Sequence, residues 1–179
     1  MRKNDVRDAR GLAITEFTKE PVPYVPRFSD PLYRELSDMS RYYDQQTEDI
    51  KREKNRVHKL IQFSFPNFTD EIDLDKTSSL EVLRLFPHPN MIEGHTITEI
   101  MDSILGLGIR GIGQGRAQTL AERLWRAHGI SYPAIESTSF EVKQLQHQVT
   151  NILKMTVERE IVIANMVYVA KALPNSRFS

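Results

Sequence analysis

The sequence predicts an all-α protein built on a long antiparallel coiled-coil arm, with a small helical lobe at the tip of the arm. Apolar residues recur at heptad spacing in two long segments, which flank a middle part of shorter helical signals. No stretch of useful length alternates apolar and polar residues, as a half-buried strand would. Two long amphipathic helices separated by a compact segment bury their apolar stripes by packing antiparallel.

The first arm helix is predicted over 30–63. Asp30 is a suitable N-cap, Pro31 fits the first helical position, and Pro66 bounds the helix beyond its end. At 1.5 Å per residue, the helix is roughly 45–50 Å long. One heptad register holds Leu36, Tyr43, Ile50 and Val57, and the other holds Leu32, Met39, Gln46, Glu53 and Leu60.

The second arm helix is predicted over 139–173. Thr138 and Glu141 have capping-box spacing at its start, and Pro174 ends it. One register holds Val142, Val149, Thr156, Ile163 and Ala170, and the other holds Leu145, Ile152, Arg159 and Met166.

The lobe, residues 64–138, carries shorter signals. Short helices are predicted over 79–86, from the capping box at Thr96 through Leu105, and over 116–128, with Gly129 as a C-cap. Ahead of the arm, residues 1–19 hold a short helix, and the alternating prolines of 20–29 form a stiff linker.

Composition excludes several chemistries. The chain of 179 residues has no cysteine, so disulfides, thiolate metal sites and a cysteine nucleophile are ruled out. Basic and acidic residues number 24 each, so any nucleic-acid surface must come from local clustering. No signal peptide is visible, and the longest apolar stretch, 161–173, is too short for a membrane span. We expect a cytoplasmic protein.

Two carboxylates near the N-terminus are candidate metal ligands. Asp5 and Asp8 lie three residues apart on a predicted helix, so their side chains share a face and could hold a divalent cation such as Mg²⁺. The pattern alone favours a simpler interpretation, in which both residues interact with the positive end of the helix dipole.

Four passages together resemble one enzyme family. The run Lys3-Asn4-Asp5-Val6-Arg7-Asp8-Ala9-Arg10-Gly11-Leu12-Ala13 resembles the K-[TN]-D-x-x-D-A-x-x-[LI]-A signature of the DEDD insertion-sequence transposases, the IS-one-ten type that includes bridge-RNA-guided recombinases. Asn55-Arg56-Val57-His58-Lys59-Leu60-Ile61, followed by Phe65-Pro66 and Phe68, is similar to the passage after the family's first arm helix. Residues 80–89 and 166–174 are similar to its later elements, so the resemblance covers nearly the whole chain.

This resemblance implies a DNA transposase or recombinase with a RuvC-like nuclease domain. Residues 1–19 would be the C-terminal remnant of that domain, with Asp5 and Asp8 as the last two of four catalytic metal ligands for Mg²⁺. The other two ligands would lie before Met1. Residues 174–179 would begin the C-terminal transposase domain, whose serine nucleophile would lie beyond Ser179. As an internal fragment, the chain is expected neither to cleave nor to rejoin DNA by itself, and DNA and a guide RNA are the implied partners.

Two local features could bind nucleic acid. The first is the arm-helix basic cluster, which has acidic neighbours and could equally be a solvated helix flank. The second is Arg116, in a glycine run, 111–117, that is locally like a helix-hairpin-helix DNA-backbone motif but could be an ordinary loop. The arm-helix basic cluster consists of Lys51, Arg52, Lys54, Arg56 and Lys59.

A second function class stays open. The chain could be a non-catalytic helical module that dimerises or binds nucleic acid. Val157, Ile161 and Val167 give the second arm helix more apolar surface than one antiparallel partner covers, so we expect a homodimer through the arm.

Overall fold

The computed structural model describes residues 31–172, and this part of the chain is helical without any strand. The all-α prediction is therefore confirmed. No helix in this range is both long enough and apolar enough to cross a membrane. In chain order the elements are α1 (Pro31–Ser64), α2 (Phe68–Glu71), α3 (Thr77–Leu85), a 3₁₀ turn (Pro89–Met91), α4 (Ile97–Gly106), α5 (Gln114–Ile130) and α6 (Phe140–Ala172).

The two long helices, α1 and α6, pack along each other in opposite directions. Near one end Tyr43 of α1 meets Arg159 of α6, while residues 49–56 of α1 share a cleft with 151–158 of α6. Residue numbers therefore increase along α1 in the direction in which they decrease along α6, so the two helices are antiparallel. The end of α1 and the start of α6 lie within one residue of their predicted bounds, whereas a coiled-coil supercoil and the division into arm and lobe stay predictions.

The heptad-register residues of α1 and α6 form the seam between the two helices, and this seam is buried most completely next to the lobe. Ile50 and Val57 of α1 are buried, as are the four seam residues of α6 from Val142 to Ile152. Farther from the lobe, Tyr43, Thr156 and Met166 are only half-buried, and Ile163 is exposed. The reason is geometric: α3 packs against α6 as a third element, and Gln146, in the near half of α6, donates to the Arg84 carbonyl of α3.

Polar contacts hold the register at the far end. Gln46 is buried, and its Nε2 donates to Tyr42 Oη at 2.9 Å and to Glu158 Oε2 at 3.3 Å. The guanidinium of Arg159 lies over the ring of Tyr43, 5.8 Å from its centroid. A buried polar side chain with a partner on one specific residue favours a single alignment of the two helices.

One core runs from the near half of the arm through the lobe. Phe65 and Phe68 stand where α1 gives way to α2, with ring centroids 5.4 Å apart and the rings tilted by 67°. Both are completely buried, together with residues from every helix of the lobe. Buried His88 ties the last loop to this core: its Nδ1 accepts from the Asn90 N–H, and its Nε2 lies 2.9 Å from the Ile135 carbonyl oxygen and donates to it.

Two of the predicted helix-end signals differ from the structure. Helix α6 begins at Phe140, one residue later than a capping box with Thr138 as the N-cap requires. Helix α5 runs through Gly129 to Ile130, so Gly129 is not its C-cap. Packing of buried residues, among them Ala127, outweighs the glycine signal here.

The capping box at the start of α4 is present as predicted. The Thr96 hydroxyl accepts from the Glu99 N–H at 3.3 Å, and Glu99 Oε2 accepts from the Thr96 N–H at 2.7 Å. These hydrogen bonds to the Thr96 backbone and hydroxyl lower the pKa of Glu99 below its usual value of 4.5.

Glu99 should therefore give stability that depends on pH. A carboxyl with a lowered folded-state pKa stabilises the fold above its unfolded pKa, and loses that contribution as pH falls through the folded value. Glu99→Gln keeps an acceptor for the Thr96 amide but cannot titrate. We expect the difference in melting temperature between the two proteins to shrink as pH falls below 4.5. A difference independent of pH would contradict this role.

Candidate nucleic-acid interface

The predicted catalytic and metal-binding residues, Asp5 and Asp8, lie outside the described residues. Within 31–172, no group of three or more histidines, aspartates and glutamates is placed to hold a metal ion. The candidate site that the structure does describe is therefore a set of basic surfaces.

The arm-helix basic cluster is largely neutralised by its own neighbours. Lys51 lies 4.0 Å from Glu48, Arg52 lies 3.2 Å from Asp49, and Arg56 pairs with Glu53. Lys54 reaches Asp75 at 2.9 Å, and its ammonium lowers the pKa of that carboxyl. Lys59 has no ion pair with another described residue. Exposed pairs of this kind are weak, yet they cancel the field that would attract a phosphate backbone.

Arg116 stands at a hairpin between two packed helices. The hairpin, Gly111–Gly113, is the last part of the 107–113 connection between α4 and α5, and these two helices pack against each other. Gly111 has φ +80°, a conformation that L side chains rarely adopt, so glycine is needed there. Arg116 Nη1 donates to the Gly111 carbonyl at 3.0 Å, which fixes the guanidinium beside the turn.

The start of α5 is open towards solvent. Gly113 is its N-cap, and no side chain caps the helix. Half-buried Ile112 packs against the core and anchors the turn. The segment thus forms a glycine turn between two packed helices, and the choice between an ordinary loop and a helix-hairpin-helix stays a prediction.

A basic cleft opens beside this hairpin. Its volume is about 970 Å³. Its cationic residues are Lys76, Arg110, Arg116 and Arg123, and none of them forms an ion pair with a described carboxylate. Arg123 donates only to a backbone carbonyl, that of Glu71, at 3.4 Å. The cleft therefore carries an excess of positive charge that the arm-helix basic cluster lacks.

Two carboxylates also line the basic cleft. Asp75 is already paired with Lys54, whereas Glu160 of α6 has no ion pair among the residues described. Of the cleft residues, only Arg116 was predicted to bind nucleic acid. Lys76, Arg123 and Glu160 come from different helices or helix ends, and no local sequence pattern connects them.

Comparison with known proteins identifies no relative: no family model, no curated protein and no solved structure matches the chain.

Proposed function

We propose that this chain is the nucleic-acid-binding arm and lobe of an insertion-sequence DNA transposase of the DEDD, RuvC-like type. The sequence resemblance supports the family, and the hairpin at Gly111–Gly113 with Arg116 supports binding to the DNA backbone. In the intact enzyme, Mg²⁺ held by Asp5, Asp8 and further carboxylates would supply the hydrolytic chemistry. The described residues would position DNA, with a guide RNA as a further partner of the family's RNA-guided members.

The hairpin is the observation that carries this proposal. Its glycines bring backbone close to solvent at the start of α5, where the helix dipole favours an anion and no side chain competes. Arg116 beside it can donate two parallel hydrogen bonds to a phosphate. Contacts of this kind fix the position of a duplex without reading its sequence.

Duplex binding tests the proposal. The full chain should bind a fluorescently labelled DNA duplex of arbitrary sequence, measured by anisotropy, with an affinity that falls steeply as salt rises. Arg116→Gln should weaken binding about tenfold at low salt, because one charge-assisted phosphate contact is lost. No binding by the unmodified chain at tens of micromolar and low salt would contradict the function.

The alternative function, a helical dimerisation module, rests on the outer face of α6. Val157, Ile161 and Tyr168 are 57%, 55% and 78% exposed, although all three are large apolar or aromatic residues. They recur at spacings of four and seven, so they form one stripe, on the side of α6 opposite the seam with α1.

We expect this stripe to pair with a second copy of the chain. Light scattering at high micromolar concentration should give twice the chain mass, and Ile161→Glu should return it to the mass of one chain, because a charge would be buried unpaired. Lys143→Glu, an exposed change on the same helix, is the control. A strictly monomeric unmodified chain would remove the homodimer.

A further inference from the structure

The basic cleft has two walls, contributed by segments that are distant in the sequence. One wall is the hairpin side, with Arg110 and Arg116. The second wall is the start of α3, where Lys76 is followed by the hydroxyls of Thr77 and Ser78. Arg123 of α5 and Glu160 of α6 also line the cleft.

The two walls offer the donors that a phosphodiester needs. Guanidinium forks match phosphate geometry, and lysine and hydroxyl groups are its other frequent side-chain donors. Arg116 and Arg123 donate to the carbonyls of Gly111 and Glu71 at 3.0 and 3.4 Å, which orients their charges without neutralising them. Less side-chain freedom is then lost when an anion binds.

Glu160 opposes this arrangement. It faces the same cleft, and it has no cationic partner within salt-bridge distance in the described part of the chain. A carboxylate there repels a phosphate while it partly offsets the four cations in the absence of ligand. Removing the charge of Glu160 should therefore strengthen phosphate binding, whereas removing any of the four unpaired cations of the cleft should weaken it.

We propose that the basic cleft holds the backbone of one strand of a DNA duplex between its two walls, with Lys76 and Arg123 contacting phosphates that Arg116 does not reach, and that Glu160 limits the affinity. This inference rests on the proposed function, which identifies DNA as the ligand. It adds phosphate contacts from Lys76 and Arg123 to the contact that the proposed function assigns to the hairpin.

The experiment measures duplex affinity over a range of salt concentrations, by anisotropy with the full chain. The wall variant is Lys76→Gln with Arg123→Gln. Its matched control is Lys143→Gln with Arg34→Gln, which removes one lysine and one arginine that are exposed, unpaired among the described residues and outside the cleft. The third variant is Glu160→Gln.

The wall variant should bind about tenfold to a hundredfold more weakly than the control variant. The slope of log K against log salt should fall by about 1.8, or about 0.9 for each of two lost phosphate contacts. Glu160→Gln should bind on the order of threefold more tightly. A folding defect cannot produce that gain, so this variant keeps the test independent of stability.

The outcomes separate the two proposals. If the unmodified chain does not bind the duplex, the proposed function fails. If it binds and the wall variant matches its control, the cleft assignment alone is overturned. Tighter binding of an RNA duplex of the same sequence, or of a poly-glutamate peptide, would overturn DNA as the occupant.

Discussion

Replacing Phe65 by alanine is expected to lower the free energy of unfolding by about 4 kcal/mol, the range found when a buried phenylalanine is truncated. Phe65 is completely buried and stands edge to face with Phe68 at the junction of α1 and α2. Its removal deletes apolar contact area and an aromatic pair together, and leaves a cavity that flanking helices can only partly fill. Urea unfolding followed by circular dichroism measures the loss.

Phe63 provides a control two residues away. Its side chain is 53% exposed, so Phe63→Ala removes the same atoms but much less buried surface. We expect a smaller loss, of about 1 kcal/mol. Equal losses at the two positions would show that Phe65 is not in the core that joins arm and lobe.

The second large effect concerns DNA binding by two pairs of basic residues. Arg110→Gln with Arg116→Gln should weaken duplex binding about tenfold to a hundredfold, because both charges lie in the basic cleft without a carboxylate partner. Lys51→Gln with Arg52→Gln should change it by less than about threefold. Those two charges are already offset by Glu48 and Asp49 at 4.0 and 3.2 Å.

Both double variants remove two positive charges from exposed positions, so they differ in location rather than in net charge. Anisotropy titrations at one low salt concentration give the comparison directly. A larger loss of DNA affinity in the variant with Lys51→Gln and Arg52→Gln would place the binding surface on α1, where the sequence has its cluster of basic residues.

The arm was predictable because its signals are local. Heptad spacing and Pro66 place the end of α1 within one residue, heptad spacing does the same for the start of α6, and the spacing of Thr96 and Glu99 predicts the capping box of α4. The C-cap signal at Gly129 and the capping-box spacing at Thr138 miss the observed ends, since α5 runs to Ile130 and α6 begins at Phe140. Local patterns place helix ends only to within about one or two residues.

The neutralised state of the arm-helix basic cluster was also visible in the sequence. Lys51, Arg52 and Arg56 each follow an acidic residue by three positions, which places the pair on one helix face. The basic cleft had no such signal, because its two walls lie more than thirty residues apart and Glu160 comes from another helix still. Only tertiary packing brings them together, and Asp5 and Asp8 fall outside the described residues.

Site-specific crosslinking most directly tests the claim that DNA lies against the hairpin rather than along α1. A photoreactive amino acid replaces Gln114, exposed at the start of α5, or Asn55, exposed within the arm-helix basic cluster. Both residues are uncharged, so neither replacement alters the electrostatics. We predict that labelled duplex DNA crosslinks at position 114 and not at position 55 at low salt. Crosslinking at 55 and not at 114 would contradict the account.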